Sequence, residues 1–408
     1  MKKTFLSASI ARVLGAVAQA VMGIALARSV APAEYGAVTA LIGVFLVWFI
    51  VVDVGMSSFA GRSYALGRLD EVRTILWFSG RAALGGVVVA IAALALFVPG
   101  ASGTFLAALS LLVVAQGLEK YCETRLAVVI AADLAAAVAT SVLLRRLVSC
   151  SVFLLLLVAH AGPATLLYSI GMAAGAALGA VHIRRLLLRR DVPAQRSMAV
   201  GDVLRRSVPF AVNDLSIQSR ALDVFLVAAL TSPAGAGFYA AASKLTSPFQ
   251  LLSSTLAAVV LPATARADDR DRRRLLRAIV GLTAALTVLA LPVGWFGTDL
   301  SVFLLGDAYA PAGPLVAVFV VTFPVVALST PLAALLQGMG RERFVGAQSF
   351  VSSVLLLAAV AAGAWWGDEM GAAVGFAVVA VGKYLSLALA AFVGTRAGEP
   401  SVTTLPGA

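Results

Sequence analysis

Apolar residues run along this chain in long stretches, with polar residues gathered in the short gaps between them. Six stretches fall at about 9–28, 37–58, 79–98, 104–132, 142–160 and 164–186. Six more fall at about 207–230, 237–260, 277–296, 313–337, 344–364 and 371–393. Most hold roughly 20 residues, the length at which a helix crosses a bilayer. Turn formers mark many gaps, among them Pro32 and Gly36, Pro99 and Gly100, Gly162 and Pro163, and Pro233 and Gly237. The pattern predicts an all-α polytopic membrane protein with about 12 transmembrane helices.

Composition sharpens this picture. Of 408 residues, 61% are hydrophobic and 12% charged, where a soluble domain is roughly 45–50% apolar and 25% charged. That excludes a soluble enzyme and a disordered chain. Twelve crossings leave no room for a separate soluble catalytic domain. The formal charge is +11, which in a soluble protein would raise nucleic acid as a partner. Here the cations sit between apolar runs, so membrane lipid is the expected surroundings and no nucleic acid is implied. Cys122 and Cys150 have no metal-ligand spacing, His160 and His182 stand far apart, and no phosphate-cradling loop or Ser/His/Asp signature stands out. No metal and no cofactor are expected.

The charges also orient the chain. Lys2, Lys3, Arg62, Arg68, Arg73 and Arg81 fall on one side, as do Arg145, Arg146, the Arg184–Arg206 segment, the Arg266–Arg277 run, Arg341, Arg343 and Arg396. The opposite gaps hold only Arg28, with the acids Glu34, Asp299, Asp307, Asp368 and Glu369. This predicts both termini and every even-numbered loop on the cytoplasmic side of the membrane. Ala18-Gln19-Ala20 loosely resembles a signal cleavage site, but the apolar run continues to Ala27, so a retained first helix is expected. Residues 104–160 admit two readings. Two long helices would hold Glu119, Lys120, Glu123 and Arg125 at membrane depth. The alternative makes 119–125 a loop, and its extra span would invert the second half against the charge count.

The halves repeat. Pro32 and Gly36 match Pro233 and Gly237 at one offset, and the same offset sets Arg12 against Asn213 and Gln19 against Arg220. Six crossings per half makes a parallel repeat about an axis along the membrane normal. The expected domains are a six-helix lobe over 1–190, a cytoplasmic linker over 191–206 and a second six-helix lobe over 207–408.

Charges at bilayer depth are costly and usually face a cavity or a partner. Asn213, Ser216, Arg220 and Asp223 follow three- and four-residue steps and share a predicted helix face, with Asp214 and Gln218 beside it. Arg12 and Gln19 make a matching stripe, and Ser243, Ser247, Gln250 and Ser254 another, next to Lys244. Asp53, the Glu119–Arg125 group and Lys383 complete the set. One reading is a hydrated cavity lined by cations. Arg220, Arg12, Lys120, Arg125, Lys244 and Lys383, helped by Asn213, Gln19 and Gln250, would attract an anionic headgroup, since the planar guanidinium binds two phosphate oxygens at once. Asp223, Asp214, Asp53, Glu119 or Glu123 would carry a coupling H+ or Na+. The other reading is internal: Arg220 with Asp223 and Lys120 with Glu123 neutralise each other at three-residue spacing, Arg12 snorkels, and the serine stripe is helix packing.

These residues resemble a known family. Pro209-Phe210-Ala211 through Asp223, then Gly237-Phe238-Tyr239-Ala240-Ala241-Ala242-Ser243-Lys244-Leu245, look like the start of the second lobe in polysaccharide flippases. Leu261-Pro262-Ala263-Thr264-Ala265-Arg266, Glu34-Tyr35-Gly36, Asp53-Val54-Gly55-Met56 with Arg62, and Leu336-Gln337-Gly338-Met339-Gly340 agree in order and spacing. The chain resembles Wzx-type O-antigen and capsule flippases of the multidrug/oligosaccharidyl-lipid/polysaccharide (MOP) exporter superfamily. The resemblance implies two six-helix lobes and transfer of an undecaprenyl-pyrophosphate-linked oligosaccharide between leaflets by alternating access, often ion-coupled. It also implies lipid and other polysaccharide-assembly proteins as partners. Rival readings are a small-molecule or drug exporter, whose cavity would be acidic, and a membrane-embedded polymerase or ligase, which the short outer loops oppose.

Overall fold

In hydrocarbon a backbone must satisfy its own N–H and C=O groups, so each apolar stretch folds as a helix. The computed structural model describes residues 2–97, 100, 102–189, 192–245 and 250–396. The chain divides into two compact units, Met1–Ala228 and Ala229–Ala408.

The first unit contains α1 (Lys2–Ser29), α2 (Pro32–Asp53), α3 (Met56–Ala65), α4 (Leu69–Phe97), α5 (Gly103–Ala131), α6 (Ala135–Val158), α7 (Ala164–Leu188) and α8 (Val200–Gln218). A 3₁₀ turn over Ser219–Leu222 leads to α9 (Asp223–Leu230), which runs to the boundary with the second unit. α7 packs against both α5 and α6, and α6 packs against α1. Glycines let these helices approach closely: a Cβ on Gly171 or Gly175 would meet Ser149. Met56, Phe59, Ile75, Leu76 and Ile183 form part of a buried apolar cluster. The outward faces are also apolar, with Leu84 67% and Val158 78% exposed. In water such surfaces would be costly, whereas in lipid they are expected.

Two boundaries change here, and one expectation, that of two long helices over 104–160, holds. The second stretch is interrupted, because Val54 (φ 49°) and Gly55 (φ 73°) are left-handed and separate α2 from α3. α5 is continuous from Gly103 to Ala131, so 119–125 is helix and not a loop. The following turn is short, with Asp133 at φ 56°, and α6 begins at Ala135 rather than at 142. The alanine-rich run before Thr140 is helical, and Arg145 and Arg146 therefore lie well inside a helix instead of in a loop.

The second unit contains α10 (Pro233–Leu245), α11 (Gln250–Arg266), α12 (Asp269–Trp295), α13 (Gly297–Leu305), a 3₁₀ turn over Asp307–Ala312, α14 (Gly313–Gly338) and α15 (Glu342–Arg396). α14 packs against α11, α12 and α15 around Leu332, Leu335 and Leu387. The arginine run that was expected as loop forms the first turns of α12, capped by the Asp268 carboxylate, which accepts from Asp271 N at 2.8 Å. α15 is two helices joined at a kink, with Gly367 and Asp368 outside helical geometry. Among the described residues eight helices are long and apolar enough to cross a membrane, with α15 counted once. The second arm of α15, α1 and the shorter helices α8 to α11 are further apolar helices among the described residues, in keeping with about twelve crossings. The repeat is visible in the helix starts, since α2 begins at Pro32 and α10 at Pro233.

Candidate functional site

The break after Asp53 organises the site. Its carboxylate accepts from Ser57 N at 3.0 Å and Ser57 Oγ at 2.9 Å, which caps the first turn of α3. Its other oxygen accepts from Thr124 Oγ1 of α5 at 3.2 Å. The Lys120 ammonium lies 3.4 Å from Asp53 Oδ2 and 3.4 Å from Glu123 Oε2. Asp53 is thus a junction between a helix break and the neighbouring helix, with a donor at each carboxylate oxygen.

One turn away on α5, Glu119 is buried and ion-paired from α6. Arg145 Nη1 donates to Glu119 Oε2, and Arg146 Nη1 lies 3.6 Å from Oε1. Arg145 also donates to the Ser141 carbonyl. Glu119 Oε1 itself receives no hydrogen bond. From α8, Asp214 accepts from Ser58 Oγ at 3.0 Å.

These groups border an open cavity of about 330 Å³. Leu46, Phe49, Ile50 and Ile217 supply apolar wall, and Ser57, Ser58, Gln116 and Gln218 supply hydroxyls and amides. The charged lining is Glu119, Glu123 and Asp214 against Lys120. The one lining ammonium is already held by Asp53 and Glu123. Three carboxylates and one ammonium line this cavity, with Glu119 already paired by Arg145 and Arg146, an arrangement that can hold a small cation or proton.

The structure brings together Asp53, Glu119, Lys120, Glu123 and Asp214 and leaves the other candidates elsewhere. Arg125 is buried but faces away, donating to the carbonyls of Leu76 at 2.9 Å and Tyr121 at 3.1 Å, with its guanidinium over the Tyr121 ring. It ties α5 to α4. Arg220 is exposed on the 3₁₀ turn, so the regular helix face predicted through Asn213, Ser216, Arg220 and Asp223 ends at Gln218. Asp223 opens α9, its carboxylate accepting from Val224 N at 2.6 Å. Gln19 is exposed on α1, Lys244 is exposed at the end of α10, and Lys383 is half-buried in the second arm of α15. The side chains of Arg12, Asn213 and Gln250 lie outside the described residues. Sequence reasoning missed Arg145 and Arg146 as site residues because it began their helix too late. It missed Ser57, Ser58 and Gln116 because single hydroxyls and amides in apolar runs carry no pattern.

Residues 25–312 match a family described as polysaccharide biosynthesis protein. No curated protein matches the chain. Among solved structures, the chain is similar to an inward-facing multidrug resistance MATE family transporter of the MOP superfamily. The TM-score is 0.68 at 14% identity, over 95% of this chain and 96% of that one. It is similar to a Vibrio cholerae MATE transporter in a bent form, with a TM-score of 0.61 at 13% identity over 97% of both chains. A MOP superfamily transporter from Pyrococcus furiosus, for which a reversed polarity of the binding pocket suggests a different function, scores 0.61 at 15% identity over 98% of this chain and 97% of that one. The fold is that of these multi-pass transporters.

Proposed function

We propose that this chain, which belongs to the polysaccharide biosynthesis protein family, carries an undecaprenyl-pyrophosphate-linked oligosaccharide from the cytoplasmic to the outer leaflet of a bacterial inner membrane. The observation that carries the reading is the family match over residues 25–312 on a MOP transporter fold. The arginine-rich helix ends support cytoplasmic termini. The reading is of transport without catalysis, coupled to H+ or Na+, with membrane lipid and other polysaccharide-assembly proteins as partners.

The first-unit cavity divides the labour. About 330 Å³ is at the small end for a ligand site, too small for a lipid-linked saccharide. Its carboxylates suit the coupling ion: Glu123 and Asp214 line it, and Glu119 Oε1 is an acceptor without a donor. The anionic headgroup is assigned to cations outside that cavity, first of all the exposed Arg220. The same excess of carboxylates favours a second reading, export of small organic cations through this cavity.

Lipid mass spectrometry on a deletion strain, with an impermeant sugar-oxidising probe, separates the two. Accumulation of a polyprenyl-pyrophosphate saccharide that the probe cannot reach supports the flippase. No accumulation, or normal labelling from outside, rejects that cargo and leaves the exporter.

A further inference from the structure

α12 carries its arginines and its outward apolar residues on one face. Arg270, Arg273, Arg274 and Arg277 recur at three- and four-residue steps, and all are exposed. Val288 and Leu291 continue that face farther along the helix and are exposed as well. The opposite face meets protein. Leu276 and Ile279 are buried with Leu332 and Leu335 of α14, and Thr283 accepts from the Tyr384 hydroxyl of α15 at 2.8 Å.

The acids of this segment do not neutralise the stripe. Asp268 caps the helix. Asp269 lies 3.4 Å from the half-buried Arg272, which also donates to the Thr264 carbonyl. Asp271 lies 3.5 Å from Arg274, an exposed pair of little strength. Among the described residues no carboxylate pairs with Arg270, Arg273 or Arg277.

The helix also sets the depth of the stripe. Trp295 is 88% exposed and Phe296 follows it, an aromatic pair suited to a headgroup layer. From Ala278 to Trp295 the helix spans about 27 Å, close to the roughly 30 Å of a hydrocarbon core. With that stretch in hydrocarbon, Arg277, Arg274 and Arg273 enter the phosphate layer of the opposite leaflet. Arg270, about 10 Å beyond Arg277, reaches its outer edge.

The other half of the repeat closes the same place with protein. The offset that sets Pro32 against Pro233 sets the start of α4 against the start of α12. At α4 the acids are paired, Asp70 with Arg73 at 3.4 Å and Glu71 with Arg206 at 3.0 Å. Ser197 N and Met198 N donate to Thr74 Oγ1, and Gln195 N donates to the Arg73 carbonyl, so residues 195–198 lie over the first turns of α4. The arginine face of α12 stays exposed.

We propose that this face of α12 is a binding site for an acidic phospholipid of the leaflet on the arginine-rich side. The lipid phosphate sits among Arg273, Arg274 and Arg277, where a planar guanidinium donates to two oxygens at once. Its acyl chains run along the apolar continuation of the face toward Val288. The lipid takes in the second half the place that residues 195–198 take in the first. The site needs a membrane but not the proposed cargo.

The full chain is placed in nanodiscs of phosphatidylcholine with a minor fraction of phosphatidylglycerol and released into detergent, and retained lipid is counted by native mass spectrometry. The unaltered protein should keep phosphatidylglycerol in preference to phosphatidylcholine. A variant with Arg270→Gln, Arg273→Gln, Arg274→Gln and Arg277→Gln should keep at least about tenfold less, and its melting temperature should no longer rise with the phosphatidylglycerol fraction. Equal retention, or an equal rise in melting temperature, would overturn the site. Losing four cations also weakens the signal that orients the chain, so Arg270→Lys, Arg273→Lys, Arg274→Lys and Arg277→Lys are combined in a parallel variant. It keeps the charge and loses the fork, and retention should fall about threefold. Retention equal to that of the unaltered protein would reduce the stripe to general surface charge, which overturns a built site. Undecaprenyl pyrophosphate added to the nanodiscs tests the occupant. Unchanged retention of phosphatidylglycerol sustains the assignment, whereas displacement by trace amounts gives the face to a pyrophosphate lipid and overturns it.

Discussion

Lys120 and Asp53 face each other across the break between α2 and α3, with 3.4 Å between ammonium and carboxylate and side chains only 10% and 3% exposed. A buried charge left alone costs far more than a surface one. Lys120→Met should therefore destabilise the protein by about 3 kcal/mol, seen as a lower melting temperature in detergent. Asp53→Asn combined with Lys120→Met should recover part of that loss. If the single and double variants melt together, the pair is not what holds α5 to the break.

Glu119 and Arg145 form a second buried pair, now between α5 and α6. Removing either by Glu119→Gln or Arg145→Met strands the other. The double variant should cost less than the sum of the singles by at least about 1 kcal/mol. Additive losses in a double-mutant cycle of melting would mean that Arg146, 3.6 Å from the other oxygen, carries the contact instead.

Gly43 and Gly55 stand where α2 and its break meet the α8 segment. A methyl on Gly43 would strike the Ala221 carbonyl, and one on Gly55, at φ 73°, would strike the Ala211 backbone. Either alanine should lower stability by about 2 kcal/mol or more. Gly281→Ala in α12, with nothing within 4 Å, should be neutral or slightly stabilising. Thermal melting of the three variants checks the contrast, which fails if Gly43→Ala behaves like Gly281→Ala.

Glu123 and Asp214 line the cavity with carboxylates. Glu123→Gln and Asp214→Asn should uncouple transport, so that an imposed proton or sodium gradient no longer changes its rate in proteoliposomes. An unaltered gradient response in both variants would remove the cavity from coupling.

Arg220 is the cation assigned to the headgroup. Arg220→Ala should abolish transport while leaving folded protein in the membrane, and Arg220→Lys should be intermediate, because an ammonium lacks the two-pronged fork. Normal transport by the alanine variant would end that assignment.

The sequence carried the architecture further than the chemistry. Apolar runs and the arginine count fixed the helices, since lipid admits few alternatives. Asp53, Glu119, Lys120 and Glu123 stood out because a charge in an apolar run is rare. What their charges do was not legible. Arg125 and Lys120 are both cations on α5, yet one faces α4 and the other the cavity, and the difference depends on which neighbour each helix face meets. The break at Val54 was also hidden, because a valine at φ 49° contradicts its local preference. Gly55 was the one visible trace of it.

The kink in α15 has a consequence for how far its arms can part. Its two arms turn through Gly367 and Asp368, and the backbones of Gly363 and Gly371 touch just below the turn. So short a tip leaves the arms no room to separate at that end. The two arms are therefore held side by side as a tight hairpin. Trp365 and Trp366, 74% and 84% exposed at that tip, are placed to rest at the lipid headgroups once it has crossed. A tag or protease site inserted between Trp366 and Glu369 should force the arms apart at Gly363 and Gly371, seen as a lower melting temperature in detergent.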